Sequence, residues 1–290
     1  GRLDKHNLMD HVIFSPRANL RFNPTEDINF RLNYSFGFRA PQAFDEDLHI
    51  ANVGGTVSMI RLDDHLTEEK SQSISLSSDI YKRMGNWQAN LLVEGFFTTL
   101  DDVFSLRQIG IVDGILMNER YNESGANVFG TTLEGKLAYR NRTQLQAGLT
   151  LQEARYKKAR AWSDDESLPL EKRMMRTPRL YGYFTFSHQP TEHLTLALSG
   201  TYTGSMLVEH RAGYIEKDRT EKTPDFLEMN LKVTHDFHIH KNLVVEVNAG
   251  VQNLFNAYQK DFDQGPDRDS GYMYGPTLPR SIFAGLKIKY

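Results

Sequence analysis

Ser281-Ile282-Phe283-Ala284-Gly285-Leu286-Lys287-Ile288-Lys289-Tyr290 is the stretch whose reading decides the fold. Counted back from Tyr290, apolar residues recur at every second position: Ile288, Leu286, Ala284 and Ile282. Lys289, Lys287 and Ser281 lie among the alternate positions. A period of two belongs to a β-strand with one apolar and one mixed face. This strand alone also fits the edge of a soluble β-protein.

The same alternation recurs upstream. Ile28 to Phe38 puts Ile28, Phe30, Leu32, Tyr34, Phe36 and Phe38 on one face, with Asn29, Arg31, Asn33 and Ser35 on the other. Gln144–Gln152, Phe226–His238 and Leu243–Gln252 divide in the same way, and none of the apolar faces carries a charge. A lipid-facing surface requires this, because Arg or Lys at a bilayer midplane costs ~2–4 kcal/mol. The alternating runs are about nine to thirteen residues long, longer than the usual strand of a soluble sandwich and enough for a tilted membrane crossing.

The connections sort into two kinds. Pro24–Asp27, Gly85-Asn86, Asn141-Arg142, Gln189–His193 and His240–Asn242 are short. Arg39–Lys70, Arg107–Asn118, Ala159–Arg176, Ala212–Pro224 and Ala257–Pro279 are long and polar, and the two kinds alternate along the chain. Outer-membrane barrels have short periplasmic turns and long external loops. The sequence therefore predicts an all-β fold, an antiparallel transmembrane β-barrel or part of one. Its strands are Phe14–Asn23, Ile28–Phe38, Gln72–Arg83, Trp87–Leu106, Asn127–Arg140, Thr143–Lys157, Thr177–His188, Leu194–Arg211, Asp225–Ile239, Leu243–Asn256 and Arg280–Tyr290, with Gly1–Asn7 as the end of one more. Two strands fit less well. Ser78 shares a face with Ile74, Leu76 and Ile80, and Leu180–Phe186 is aromatic on both faces.

Composition narrows the function. With 290 residues, 39% of them hydrophobic, and a net charge of −3, the chain gives bulk charge no hold on nucleic acid. There is no cysteine, hence no disulfide or thiolate metal site. No apolar run is long enough for a transmembrane helix, which leaves barrel strands untouched. The chain starts at Gly1 without a leader and reads as a processed or trimmed piece.

Particular residues then resemble a known family. Phe36-Gly37-Phe38-Arg39-Ala40-Pro41 resembles the GFRAP box of TonB-dependent outer-membrane receptors, and Ser15-Pro16-Arg17-Ala18 is similar to the motif that precedes it. Val251-Gln252-Asn253-Leu254-Phe255-Asn256 is similar to the family's NLFN near the end of the penultimate strand. Tyr274-Gly275-Pro276 and Leu278-Pro279-Arg280 resemble its approach to the last strand. Tyr202–Met206 and Gly213–Lys217 look like the versions in Bacteroides-type members.

The resemblance implies a barrel of roughly 22 strands with a plugged lumen, in a Gram-negative outer membrane. It implies TonB-coupled uptake of an iron-siderophore, haem or cobalamin, powered through TonB, ExbB and ExbD, with no enzyme activity and no resident cofactor. Residues 1–290 supply about eleven or twelve of the strands, so the expectation is the C-terminal part of the barrel, with plug domain and TonB box absent.

Some haem receptors place an axial histidine after the FRAP box, which makes His49 a candidate haem or ligand contact. The downstream NPxL of those receptors is here only Asp64-His65-Leu66-Thr67-Glu68. Asp261 and Asp263 lead a carboxylate-rich turn running to Asp269 that could hold calcium without EF-hand spacing; a solvated loop is the alternative. Tyr272 and Tyr274 are candidates for a metal-chelate ligand or members of an interfacial girdle. Arg155, Lys157, Lys158 and Arg160 form a basic patch facing outer-membrane lipid and lipopolysaccharide phosphates, or ordinary solvated charge. His235, His238 and His240 do not share one strand face, and no hydrolase or nucleotide motif stands in context. A passive porin and an outer-membrane enzyme remain the alternatives.

Overall fold

The computed structural model describes residues 1–6, 9–42, 58–240 and 243–290. In chain order its strands are β1 (Arg2–Lys5), β2 (Val12–Ser15), β3 (Arg17–Phe22), β4 (Ile28–Arg39), β5 (Ser58–Leu62), β6 (Glu69–Met84), β7 (Trp87–Asp101), β8 (Val103–Val112), β9 (Ile115–Glu123) and β10 (Ala126–Tyr139). There follow β11 (Thr143–Arg160), β12 (Glu171–Arg173), β13 (Leu180–His188), β14 (Leu194–Thr203), β15 (Leu207–His210), β16 (Arg219–Lys222), β17 (Phe226–His240), β18 (Leu243–Gln252) and β19 (Ser281–Lys289). No described segment is a helix.

Eleven of these strands form one up-and-down antiparallel path, β3-β4-β6-β7-β10-β11-β13-β14-β17-β18-β19, with β12 attached to β11. They correspond one for one with the eleven strands expected from alternation. β3 and β19 stand at the ends of the path, so the wall is not closed.

Register explains the alternation. Leu137 faces Leu145, then Phe186, Leu198, Leu231, Val251 and Ile282 follow on successive strands in one continuous apolar line. A second line runs Ile74, Phe97, Phe129. These side chains are not buried by protein: Leu145 is 41% exposed, Phe129 48% and Ile282 82%. A continuous apolar patch of this extent is a liability in water and the required surface against acyl chains. Ladder pairing satisfies the backbone between neighbouring strands, as a membrane crossing demands. Trp87 packs on Tyr139 with centroids 4.6 Å apart at the short-turn end of the wall, where an aromatic girdle belongs.

The opposite face is polar. Glu134 accepts from Gln146 (3.0 Å) and Tyr183 (2.9 Å) and pairs with Lys136 (3.1 Å), and Lys289 pairs with Glu246 (2.7 Å). Rings lie across glycines on neighbouring strands of both faces: Tyr183 opposite Gly148 and Phe283 opposite Gly250 on the polar face, Phe184 opposite Gly200 on the apolar one. A Cβ on Gly200 would sit 2.3 Å from the Phe184 ring, so nothing larger fits while that ring stays. Aromatic cover of this kind holds register where a strand lacks a side chain.

Three expected strands are interrupted. The Phe14–Asn23 run splits at Pro16, which has no N–H to give the ladder, although its carbonyl still accepts from Phe36 (3.1 Å). The N-terminal segment forms β1, which pairs only with β2. Trp87–Leu106 breaks at Asp102, in the left-handed region with φ 54°. Leu194–Arg211 breaks after Thr203 into β14 and β15.

The long connections carry structure of their own. β8 and β9 form a hairpin, β5 pairs with β9 in parallel, and β15 pairs with β16. We call this end the crown, and the long-loop rule makes it extracellular. Much of the compact packing lies here, with Val208 fully buried and Val103, Ala126, Phe226 and Tyr272 nearly so.

Candidate functional site

The final loop, residues 253–280, is framed by the two asparagines of the NLFN stretch. Asn253 ends β18 with φ 50°, a conformation Asn tolerates better than most residues. It is 3% exposed, donates to the carbonyls of Ala257 and Leu278 (3.0 Å each), and accepts from the Ala257 N–H (2.8 Å). The Asn256 side-chain Oδ1 accepts from the Arg280 N–H (2.9 Å). The motif therefore ties the beginning of this loop to its end.

Inside that frame, Asp261, Tyr272 and Tyr274 come together. The Tyr272 and Tyr274 hydroxyls donate to Asp261 at 3.0 and 2.6 Å. Burial and this hydrogen bond push both phenols up in pKa. Burial alone would raise Asp261, but the hydrogen bonds from Tyr274 and Tyr272 outweigh it and hold the carboxyl below its ordinary value. Asp263 meets His210 of β15, with Nε2 3.0 Å from each carboxylate oxygen and side chains 4% and 2% exposed. The His210 ring stacks on Tyr272 at 3.6 Å and 8°. Gln259, 1% exposed, donates to the Tyr272 carbonyl (3.0 Å) and accepts from the Tyr274 N–H (2.8 Å). Asp269 accepts from the N–H groups of Arg211 (2.9 Å) and Gly271 (2.8 Å).

The candidate side chains are thus engaged within the protein. Asp261 and Asp263 accept from tyrosine and histidine, and Tyr272 is only 5% exposed. Among the described residues no group of three or more His, Asp or Glu side chains is arranged to hold a metal. His49 lies outside the described residues. His65 is exposed in a turn, its N–H donating to Asp63 (2.8 Å). At the short-turn end, the His193 and His238 rings meet edge-on at 4.7 Å, with His235 6.5 Å from His193.

The basic patch divides. Arg155 pairs with Glu153 (2.7 Å), as does Arg179 (2.7 Å), while Lys157 pairs with Asp101 and Lys158 is exposed. Leu149, Leu151, Glu153 and Arg155 alternate on one strand face, so these charges sit just beyond the apolar band. Arg160 turns elsewhere: it lies over the Tyr156 ring at 3.7 Å and pairs with Glu123 (3.3 Å).

Arg160 belongs to a crown cavity of about 1040 Å³ that the sequence reading did not anticipate. The β8–β9 hairpin, the β11–β13 connection and β15 border it. Tyr121, Tyr156 and Trp162 line it, with Arg107 4.8 Å above the Tyr121 ring. Trp162 donates to the Pro169 carbonyl (3.0 Å), which fixes the indole in its loop. The volume suits a small-molecule site, commonly ~300–1,000 Å³. One of two tryptophans, placed in a polar connection, was the signal available in the sequence. Arg176 joins this wall to the final loop, donating to the carbonyls of Met273 (2.8 Å) and Gly271.

With wall and crown in view, the comparisons agree. The family described as TonB dependent receptor-like, beta-barrel matches residues 1–254. The chain belongs to that family: it is part of an outer-membrane receptor barrel and not an enzyme. Similar solved structures include a mutant ferric enterobactin receptor of Pseudomonas aeruginosa, with 18% identity over 99% of this chain and 41% of that one, TM-score 0.65. The ferric-catecholate import receptor Fiu of E. coli K12 has 18% identity over 94% of this chain and 34% of its own, TM-score 0.65. The FrpB iron transporter of Neisseria meningitidis has 15% identity over 97% and 40%, TM-score 0.64. The chain therefore spans well under half of each of these proteins. No curated protein matches the sequence.

Proposed function

We propose that residues 1–290 form the C-terminal part of the barrel of an importer that takes up a ferric siderophore across the outer membrane. The observation that carries this reading is the aromatic-lined crown cavity of about 1040 Å³ on the extracellular side. Such a pocket is large enough to enclose a small metal chelate. Its walls come from loops braced by side-chain hydrogen bonds, a preorganised arrangement that lowers the ordering cost of binding. The names of the structural neighbours, concerned with ferric enterobactin, ferric catecholates and iron, favour a ferric chelate over haem or cobalamin.

In this reading Tyr272, Tyr274, Asp261 and Asp263 act on the ligand through the loop they brace. His49 stays a candidate ligand contact in the connection between β4 and β5. Energy would reach the site from TonB, ExbB and ExbD. Arg155, Lys157, Lys158 and Arg179, above the apolar band, would meet lipopolysaccharide phosphates.

The test is a titration of the receptor carrying this chain in its complete barrel, folded in detergent micelles. Ferric siderophores, haem and cyanocobalamin are each followed by tryptophan fluorescence. Saturable binding of a ferric siderophore is expected. Binding of haem or cobalamin alone, or of none of the three, defeats the proposal.

A further inference from the structure

Resting on the siderophore reading above, we infer that the crown cavity selects an uncharged or cationic ferric chelate, of the hydroxamate type, and rejects strongly anionic chelates such as tris-catecholates. The observation is how the cavity's charge is already used. Its lining holds five arginines and five carboxylates, which cancel.

Each arginine is engaged before any ligand arrives. Arg107 binds Glu119 (2.5 Å) and Asp63 (3.2 Å), and Arg160 binds Glu123 (3.3 Å). Arg173 binds Glu171 (3.2 Å), while Arg211 binds Glu209 (3.2 Å) and Asp218 (3.4 Å). Arg176 spends two N–H groups on the carbonyls of Gly271 and Met273. An anionic chelate would have to take Arg107, Arg160, Arg173 or Arg211 from its carboxylate and leave that carboxylate unpaired beside the bound anion, or draw Arg176 off its two carbonyls. These arginines are partly exposed, so each pair is weak by itself; the uncovered carboxylate then repels the bound anion and disfavours the wrong ligand.

Outside those ion pairs the lining holds one cation, Arg176, against two carboxylates. Among the described residues, Asp164 and Glu166 are its lining carboxylates with no hydrogen bond or ion pair, and both are exposed in the loop that carries Trp162. Two free carboxylates beside an indole repel an anion and suit an ammonium arm, which gains from the ring face as well as from the charge. Tyr121 and Tyr156 already lie under guanidinium groups, which leaves Trp162 as the lining ring with no cation over it among the described residues.

The experiment uses the complete receptor in detergent micelles, titrated with ferrichrome (uncharged), ferrioxamine B (cationic) and ferric enterobactin (strongly anionic) at low and at physiological salt. Ferrichrome and ferrioxamine B should bind at least roughly tenfold more tightly than ferric enterobactin, with ferrioxamine B weakening as salt rises. The double variant Asp164→Asn with Glu166→Gln should weaken ferrioxamine B severalfold and ferrichrome less. Retained heat-modified gel mobility would show the variant still folded. Equal or tighter binding of ferric enterobactin overturns the charge inference and leaves siderophore uptake standing. If none of the three chelates binds, it is the proposed function that fails.

Discussion

The wall and the crown are made of the same chain but held by different forces. Fourteen consecutive residues of β10, Ala126 to Tyr139, are each paired on both sides, to β7 and to β11. Side chains there only choose between lipid and lumen. In the crown the order reverses: Gln259, Asp261, Asp263 and Asp269 hold the final loop through side-chain oxygens and nitrogens, reaching β15 and its flank from about fifty residues away in sequence. The wall tolerates exchange within an apolar or polar face. The crown depends on individual groups, each costly to leave unsatisfied once buried.

The largest effect should come from breaking the wall's facial rule. Leu149→Arg places a cation on the apolar face near the middle of β11 and should cost ~2–4 kcal/mol, read as a lower urea midpoint of the complete receptor in micelles. Gln144→Arg, on the polar face of the same strand, should move the midpoint little. Equal losses would show that the apolar face does not meet lipid.

The crown should then fail locally while the wall stands. Gln259→Leu leaves the Tyr272 carbonyl and the Tyr274 N–H without their partner, at about 1–3 kcal/mol. Protease added outside should cut the final loop in this variant, with the unfolding midpoint unchanged. An uncut loop would mean the frame set by Asn253 and Asn256 suffices.

Acid should loosen the final loop. Asp261 has a folded pKa below its ordinary value of ~3.9, so its stabilisation is fully present above that pH. It is lost as pH falls through the lowered folded value. Protease cleavage of the final loop should therefore rise below about pH 4, and Asp261→Asn should remove that dependence. A loop equally resistant at pH 3 and pH 7 would contradict the assignment.

The smallest effect concerns the cavity. Arg160→Lys keeps the charge opposite Glu123 but loses the planar group over Tyr156, about 0.5–1 kcal/mol. Ligand affinity should fall by a few fold, and no change would place Tyr156 outside the contact.

This contrast also explains what could be read from the sequence. A period of two is local, so Ile28–Phe38 or Leu243–Gln252 announces a strand and its lipid face without knowledge of its neighbours. Strand ends were less legible. Asp102 and Asn253 stop their strands through left-handed backbone, and neither Asp nor Asn is unusual enough in sequence to mark the spot. The site was harder still. Asp261 and Asp263 stand out as a carboxylate cluster, and only the partners reveal what they do. His210 lies 53 residues from Asp263. Gln259 resembles any loop glutamine until its burial is known. The TonB-dependent motifs succeeded for the same reason as the strands: each is a short local pattern, and Asn253 shows one doing local work at a loop base.

The parallel ladder between β5 and β9 sets an order of assembly. Ser58 to Leu62 meets Leu116 to Arg120 with both strands of the β6–β7 hairpin between them in the chain. Closing so long a loop early would cost entropy that a ladder this short cannot repay. Once β6 and β7 are paired, their outer ends already hold the two connections side by side. β5 and the β8–β9 hairpin then zip together, late and outside the membrane, and afterwards neither can lift without the other.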